Sequence, residues 1–236
     1  MVSDAPNPVA VPIRPAATVI CLRDGAEAME VLLLRRDTEL AFHGGSWVFP
    51  GGRVDADELE AASGDELAAA RVAAVREAYE EAGLRLTPTL LVPFSHWTTP
   101  FGRNRRFATW FFVTGIDGDD VVIDDGEIRD FAWHPLERAI TGCESGDIAL
   151  AGPTYVSLLR LRDQPRVAEA ISFAAGRSDE VFRPKLAMNG DVRFSLYEGD
   201  AGYELGDAGA AGPRHRMEMR ERGYRYVNDA DPPADG

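Results

Sequence analysis

"REAYEEAGL", residues 76–84, decides how this chain is read. It places Glu77, Glu80 and Glu81 within five positions of one another. At 100° per residue the three carboxylates share an arc of about 100° on a helix. The i, i+3 and i+4 spacings make them neighbours, and each like-charged pair costs a few tenths of a kcal/mol. They also sit at the C-terminal end of the predicted helix, where the backbone dipole disfavours anions. Two penalties fall on the same residues, and a bound divalent cation would reverse both. Hard cations such as Mg²⁺ take carboxylate oxygens together with water and phosphate oxygens. The competing reading is a solvated acidic face in which Arg76 pairs with Glu80.

Working outward, "SGDELAAARVAAVREAYEEAG" over 63–83 predicts the strongest helix in the chain. Ser63 with Glu66 three residues on has the form of a capping box, and Gly83 supplies a left-handed stop. Upstream, "AATVICL" and "MEVLLLRR" predict two strands joined across a Gly-containing turn. "WVFPGG" predicts a short strand running into a glycine turn that lets another group approach the backbone. Downstream, "LLVPFSHW" and "RRFATWFFVTG" predict strands, rich as they are in aromatic and β-branched residues. "EIRDFAWHPLERAI" predicts a strand turning at His134-Pro135 into a helix. "GPTYVSLLRLRD" and "PRVAEAISFAAG" predict two short helices, and Asn189-Gly190 a hairpin. Residues 1–12 read as a loose Pro-rich arm, 13–150 as the main domain, and 151–236 as an extension ending in a partly disordered tail.

Composition narrows the partners. The chain has 236 residues, net charge −14 and a pI near 4.7. That balance argues against nucleic acid or an anionic membrane, both of which are polyanions. A small anionic substrate remains compatible if a cation bridges it to the protein. Cys21 and Cys143 form no metal spacing and no disulfide framework, which fits a reducing cytoplasm. No apolar run reaches the length of a membrane span, and the N-terminus has no signal-peptide pattern.

Taken with "FPGGRVDADE" at 49–58, the acidic helix resembles the Nudix box of the Nudix hydrolases. Gly52, five residues and Glu58 match its first half; Arg76, Glu77, Ala78, Glu80, Glu81, Gly83 and Leu84 match its second. Seventeen residues separate Glu58 from Arg76 where the pattern has seven. The added length leaves open whether Glu58 or Glu66 is the acid that meets Arg76.

The resemblance implies an α/β fold, an α/β/α sandwich around a mixed sheet. It implies Mg²⁺ or Mn²⁺ held by Glu77, Glu80, Glu81 and the Gly52 carbonyl, with Arg76 orienting the carboxylates. The implied reaction is hydrolysis of a diphosphate linked to another moiety. The proton of the attacking water would pass to Glu80, to Glu81 or to an acid of "IDDGEIRD", among which Glu127 is favoured because a strand follows it. The competing reading of that segment is a solvated turn.

"LAFHGGSWVFPGG" resembles the signature of coenzyme A diphosphatases through Leu40, His43, Gly45 and Phe49–Gly52. Such enzymes release 3′,5′-ADP and a phosphopantetheine product. Arg35, Arg36 and His43 then become substrate-binding candidates. Arg103, Arg105 and Arg106 form a cationic cluster suited to phosphate, unless they are ordinary surface charge. Trp97, Phe101 and Trp110 would stack an adenine, unless they are core. Pro100 lies near where ADP-ribose-cleaving members place a proline, which keeps ADP-ribose as the second substrate. A nucleotide-binding regulator without catalysis is the reading from another class. The C-terminal segment either covers the substrate cleft or mediates a homodimer.

Overall fold

The computed structural model describes residues 11–39, 44–118, 120–123 and 126–229. His43, Leu40, Asp124, Asp125, most of the N-terminal arm and the last residues of the tail lie outside this set.

The first strands are β1 (Ile13–Asp24), β2 (Met29–Arg36), β3 (Trp47–Val48) and β4 (Gly51–Arg53). Helices α1 (Ala56–Ala61) and α2 (Glu66–Ala82) follow, then β5 (Val92–Thr98), β6 (Arg106–Gly115) and β7 (Ile128–Pro135). Three helices come next: α3 (Leu136–Ser145), α4 (Gly152–Leu161) and α5 (Val167–Ala175). β8 (Glu180–Phe182) precedes four further strands, β9 (Lys185–Asn189), β10 (Val192–Leu196), β11 (His215–Met219) and β12 (Tyr224–Asn228).

The main sheet runs in the order β3-β2-β1-β6-β5-β8, with β4 added beside β1 and β7 beside β2. It is mixed: β1 pairs with β6 and β5 with β8 in parallel, and the remaining pairs are antiparallel. The strand period of two sorts its residues onto two faces. Ala17, Val19, Cys21, Leu32, Leu34 and Phe112 pack toward α2. Ile20, Leu22, Val31, Leu33, Phe111 and Val113 pack toward α3, α4 and α5. Both faces are buried, which is why "VLLL" reads as a continuous apolar run rather than an alternating one.

Helix α2 meets the sheet through alanine. Ala69, Ala70, Ala73, Ala74, Ala78 and Ala82 are all fully buried. Their spacing puts them on one face, and their small size lets the helix lie close to the strands. Enlarging Ala74 to Leu would overpack this contact and cost about 1–3 kcal/mol. The helix ends at Gly83, at φ 70°, whose N–H bonds back to Tyr79 O at 2.9 Å.

The start of α2 differs from the sequence expectation. Asp65 is the N-cap, its side chain accepting from the Ala68 N–H at 3.0 Å. Ser63 sits at φ 54° in the preceding turn. The capping box belongs instead to α1, where Asp55 and Glu58 exchange bonds. Part of the length between Glu58 and Arg76 therefore forms a separate short helix with no buried residue.

Beyond the main sheet, β9–β12 form a four-stranded antiparallel sheet in the order β12-β11-β10-β9. The expected hairpin is there: Asn189 pairs with Val192 across Gly190, which has φ 57°. The β11–β12 pair was not expected from the sequence. Tyr197 and Met217 of this region enter the same core as α3 and α4. At its heart Asp200 and Arg216, 6% and 4% exposed, form a buried ion pair at 2.6 Å.

Candidate active site

Four pieces of chain converge at the C-terminal end of α2: that helix, the glycines of β4, the end of β2 and the residue before β7. Pairing of β4 with β1 sets Gly52 opposite Ala17 and Gly51 opposite Thr18. Pairing of β2 with β7 sets Arg36 opposite Ile128, and the Asp37 N–H donates to Glu127 O at 2.9 Å. Glu127 is thereby fixed beside the end of β2.

Glu81 is the most buried acid here, 8% exposed. One carboxylate oxygen accepts the Gly51 N–H at 2.9 Å, and the other lies 3.9 Å from Arg36. Burial pushes this carboxyl up to about 8, with the charges of Glu77 and Glu127 adding to the rise. The Gly51 N–H and Arg36 oppose it. Glu77 is also raised by burial, against the pull of Arg76.

Gly52 explains itself through Glu77. A Cβ on Gly52 would lie 2.2 Å from the nearer Glu77 carboxylate oxygen, so only glycine leaves room for that carboxylate. Gly51 is crowded by Ala17 O, which a Cβ would approach to 2.4 Å.

Arg76 ties the acids together. Its Nε donates to Glu58 at 2.9 Å, and Nη1 donates to Glu77 at 2.8 Å and Glu80 at 3.1 Å. Nη2 donates to Arg53 O at 2.9 Å. The acid that meets Arg76 is thus Glu58, on the short helix α1; Glu66 lies at the other end of α2. Arg36 Nη2 donates to Glu127 at 2.8 Å, while its buried Nε has no partner among the described residues.

Other candidates fall elsewhere. Arg35 is exposed on β2 opposite Trp47. Arg103 and Arg105 are exposed in the β5–β6 connection. Arg106 donates to Thr99 O and stands opposite Ile13. That is four residues along β1 from the Ala17–Gly52 pair, roughly 13 Å at strand rise. Trp97 corrects the stacking expectation: it is 4% exposed, with its ring stacked on Phe182 at 3.8 Å. It faces the core because β5 turns Phe94 and Trp97 toward α5 and β8. Trp110 lies on the α2 face against His96, and Phe101 is exposed.

The donors expected at the end of α2, Glu77, Glu80, Glu81 and the Gly52 carbonyl, are all oxygen. That chemistry fits a hard divalent cation. Among the described residues no three acids converge as a ready cage; Arg76 holds Glu77 and Glu80, and Gly51 holds Glu81. The sequence did not show that Gly51 supplies an N–H to Glu81 or that Arg36 spans Glu81 and Glu127. Only the pairing of β2 with β7 brings the latter together.

Residues 12–151 match the family model described as NUDIX domain. A Caenorhabditis elegans protein named nudix hydrolase 7 is 29% identical over 168 residues, covering 56% of this chain and 55% of the relative. The chain thus spans about half the length of the curated relative it matches. The crystal structure of a NUDIX hydrolase from Alicyclobacillus acidocaldarius superposes with a TM-score of 0.61 at 26% identity, covering 69% of this chain and 96% of that one. The NUDIX domain of Shewanella oneidensis NrtR, crystallised with ADP ribose, gives 0.50 at 14% identity over 65% of this chain and 88% of that one. At that identity the likeness is one of fold. With more than half its length matched, the chain belongs to the NUDIX domain family.

Proposed function

We propose that this protein is a metal-dependent hydrolase that cleaves the diphosphate of a nucleoside diphosphate linked to another moiety. The observation that carries the reading is Glu81, a buried carboxylate beside Glu77, with Arg36 linking it to Glu127. A structural helix face has no use for such an arrangement, since burying an acid is costly unless something compensates.

Glu77, Glu80, Glu81 and the Gly52 carbonyl would hold Mg²⁺ or Mn²⁺. When bound, such an ion neutralises phosphate charge and makes water a better nucleophile at neutral pH. Arg76 keeps Glu77 and Glu80 in place through its bonds to both. Glu127, 60% exposed at its side chain and held by Arg36, accepts the proton of the attacking water. The water oxygen bonds to phosphorus, the bond from phosphorus to the bridging oxygen breaks, and the bridging oxygen leaves with the second phosphate.

The substrate proposed first is CoA or acyl-CoA, cleaved to 3′,5′-ADP and (acyl-)phosphopantetheine. Its support is the resemblance carried by Leu40, His43, Gly45 and Phe49–Gly52. ADP-ribose is the second reading, supported by Pro100. A non-catalytic nucleotide binder is disfavoured by the presence of all three glutamates.

Purified protein with Mg²⁺ is incubated with CoA, acyl-CoA, ADP-ribose and NADH, and the products are separated. Release of 3′,5′-ADP from CoA is expected. CoA left intact while ADP-ribose is consumed overturns the first substrate. Hydrolysis of none of the four overturns the enzyme reading.

A further inference from the structure

Pro50 and Gly51 share one peptide group, and both of its polar atoms are engaged. Its carbonyl oxygen accepts two bonds from β1, the Thr18 hydroxyl at 2.6 Å and the Val19 N–H at 3.0 Å. Its N–H donates to Glu81 at 2.9 Å. No peptide bond among the described residues is cis, and in a trans peptide the C=O and N–H point in opposite directions. Holding the oxygen on β1 therefore aims the N–H away from β1, at the carboxylate of α2.

This peptide needs holding. Proline accepts ψ near −30° or near +120°, and glycine accepts φ of either sign, which is how a Pro-Gly peptide changes between turn types. Turned over, it would present its carbonyl oxygen to Glu81, an acceptor facing an acceptor. The Val19 N–H supplies the ordinary ladder bond against that change. The Thr18 hydroxyl supplies the second anchor.

The hydroxyl has no other reason to be there. Thr18 is 7% exposed and stands opposite Phe111 on β6. Ile20 and Leu22, next on the same face of β1, are fully buried in the apolar core. Valine has the same branched shape and suits a buried strand equally well. A buried hydroxyl is costly unless it finds an acceptor, and Pro50 O is that acceptor.

We propose that Thr18 is a positioning residue: through Pro50 O it fixes the Gly51 N–H, and through that N–H it sets the Glu81 carboxylate for a divalent cation. Thr18 itself meets neither metal nor substrate. The lone pairs of Glu81 that Gly51 does not use remain for the cation. The inference rests on the hydrolase reading for what Glu81 does, but not for how Glu81 is held.

The test compares full-length wild type, Thr18→Val and Thr18→Ser, with thermal unfolding confirming that each variant folds. In EDTA, the Gly51 amide is followed by NMR through its proton shift and its hydrogen exchange. Thr18→Val is expected to move the shift upfield and to speed exchange at least about tenfold, the order of one lost hydrogen bond. Thr18→Ser keeps the hydroxyl and should return both toward wild type. Mn²⁺ binding without substrate, read by electron paramagnetic resonance, should weaken about tenfold in Thr18→Val, as when a metal ligand loses the group that orients it. Thr18→Ser should restore it to within about twofold.

The proposal is overturned if the Gly51 amide in Thr18→Val matches wild type, or if Thr18→Ser behaves as Thr18→Val does, since packing and not the hydroxyl would then be at work. It is also overturned if the amide moves while Mn²⁺ binds as tightly as before. If the amide responds as expected but wild type takes up no Mn²⁺, the hold of Thr18 on Glu81 stands, and both its purpose and the metal-dependent hydrolase reading fall.

Discussion

Arg76 Nε lies 2.9 Å from a Glu58 carboxylate oxygen, although the two stand eighteen positions apart on different helices, α2 and α1. The Glu58 side chain is 9% exposed, and it also accepts the Asp55 N–H at 2.8 Å. Glu58 therefore does two things at once. It starts α1, and it holds the guanidinium that in turn holds Glu77 and Glu80.

Glu58→Ala should lower stability by about 2 kcal/mol, the order of a charge-assisted bond lost from a shielded place. It should also lower kcat on whichever diphosphate is the substrate by about tenfold, because Arg76 then swings free of Glu77. Glu58→Gln should fall between the two. Thermal unfolding and steady-state kinetics check both effects; unchanged values in Glu58→Ala would mean that Glu77, Glu80 and Arg53 O suffice to hold Arg76.

What the sequence made legible follows from where its signals were local. The helix over Glu66–Ala82 was readable from alanine periodicity and its Gly83 stop, and β2 from an unbroken apolar run. The α1 helix was not, since only Leu59 of it packs against the core, and one apolar residue leaves no periodic pattern. The β11–β12 pair was hidden because "HRMEM" and "YRYVN" place arginine and glutamate among their apolar residues, and Arg216 turns inward to Asp200. Trp97 was misread because a strand aromatic has two faces available, and only β8 stacking on β5 decides which is covered. The glutamate cluster was legible as a repulsion needing a cause; its link to Glu127 through Arg36 was a long-range pairing that no local pattern encodes.

Glu81 gives a pH dependence of defined sign. Its carboxyl is pushed up to about 8 by burial, above the ordinary value near 4.5 that it regains when unfolded. The folded protein thus keeps a proton that the unfolded chain gives up. In EDTA, this group's contribution is full below about pH 4.5 and is lost as pH rises through about 8. Glu81→Gln should remove that slope. Mg²⁺ should raise Tm more at pH 8 than at pH 5, since a cation binds the ionised form. A Tm profile in EDTA identical for wild type and Glu81→Gln would refute the buried, proton-holding carboxyl.

Gly52→Ala tests the closeness of the turn to the helix. The new methyl would stand 2.2 Å from a Glu77 oxygen, so either the turn or the carboxylate must shift. A shift of that size at a reacting centre is expected to cut kcat at least about 100-fold. The stability cost should be only about 1–3 kcal/mol, as for other overpacked sites. Far-UV circular dichroism, thermal unfolding and activity together check this. Full activity in Gly52→Ala would show that Glu77 does not need its present place.

The C-terminal sheet should fail first in acid. Burial alone would raise Asp200, but Arg216 and the His215 and Gly202 N–H groups outweigh it and hold it below the usual carboxylate range. His215 is lowered, chiefly by burial, and stays neutral between Glu198 O and the Tyr226 hydroxyl. Both groups have folded values below their unfolded ones, so both contributions are lost as pH falls. His215 acts first, below about 6.5, and Asp200 follows below about 4. Asp200→Asn would leave Arg216 buried without its counter-charge and should cost about 3–5 kcal/mol. Adding Arg216→Met should return part of that loss, since the orphaned charge goes with it. Urea unfolding of the two variants, with limited proteolysis mapping which sheet opens, decides the matter. If Asp200→Asn alone is as stable as wild type, the pair is not what holds β10 and β11 against the loop between them.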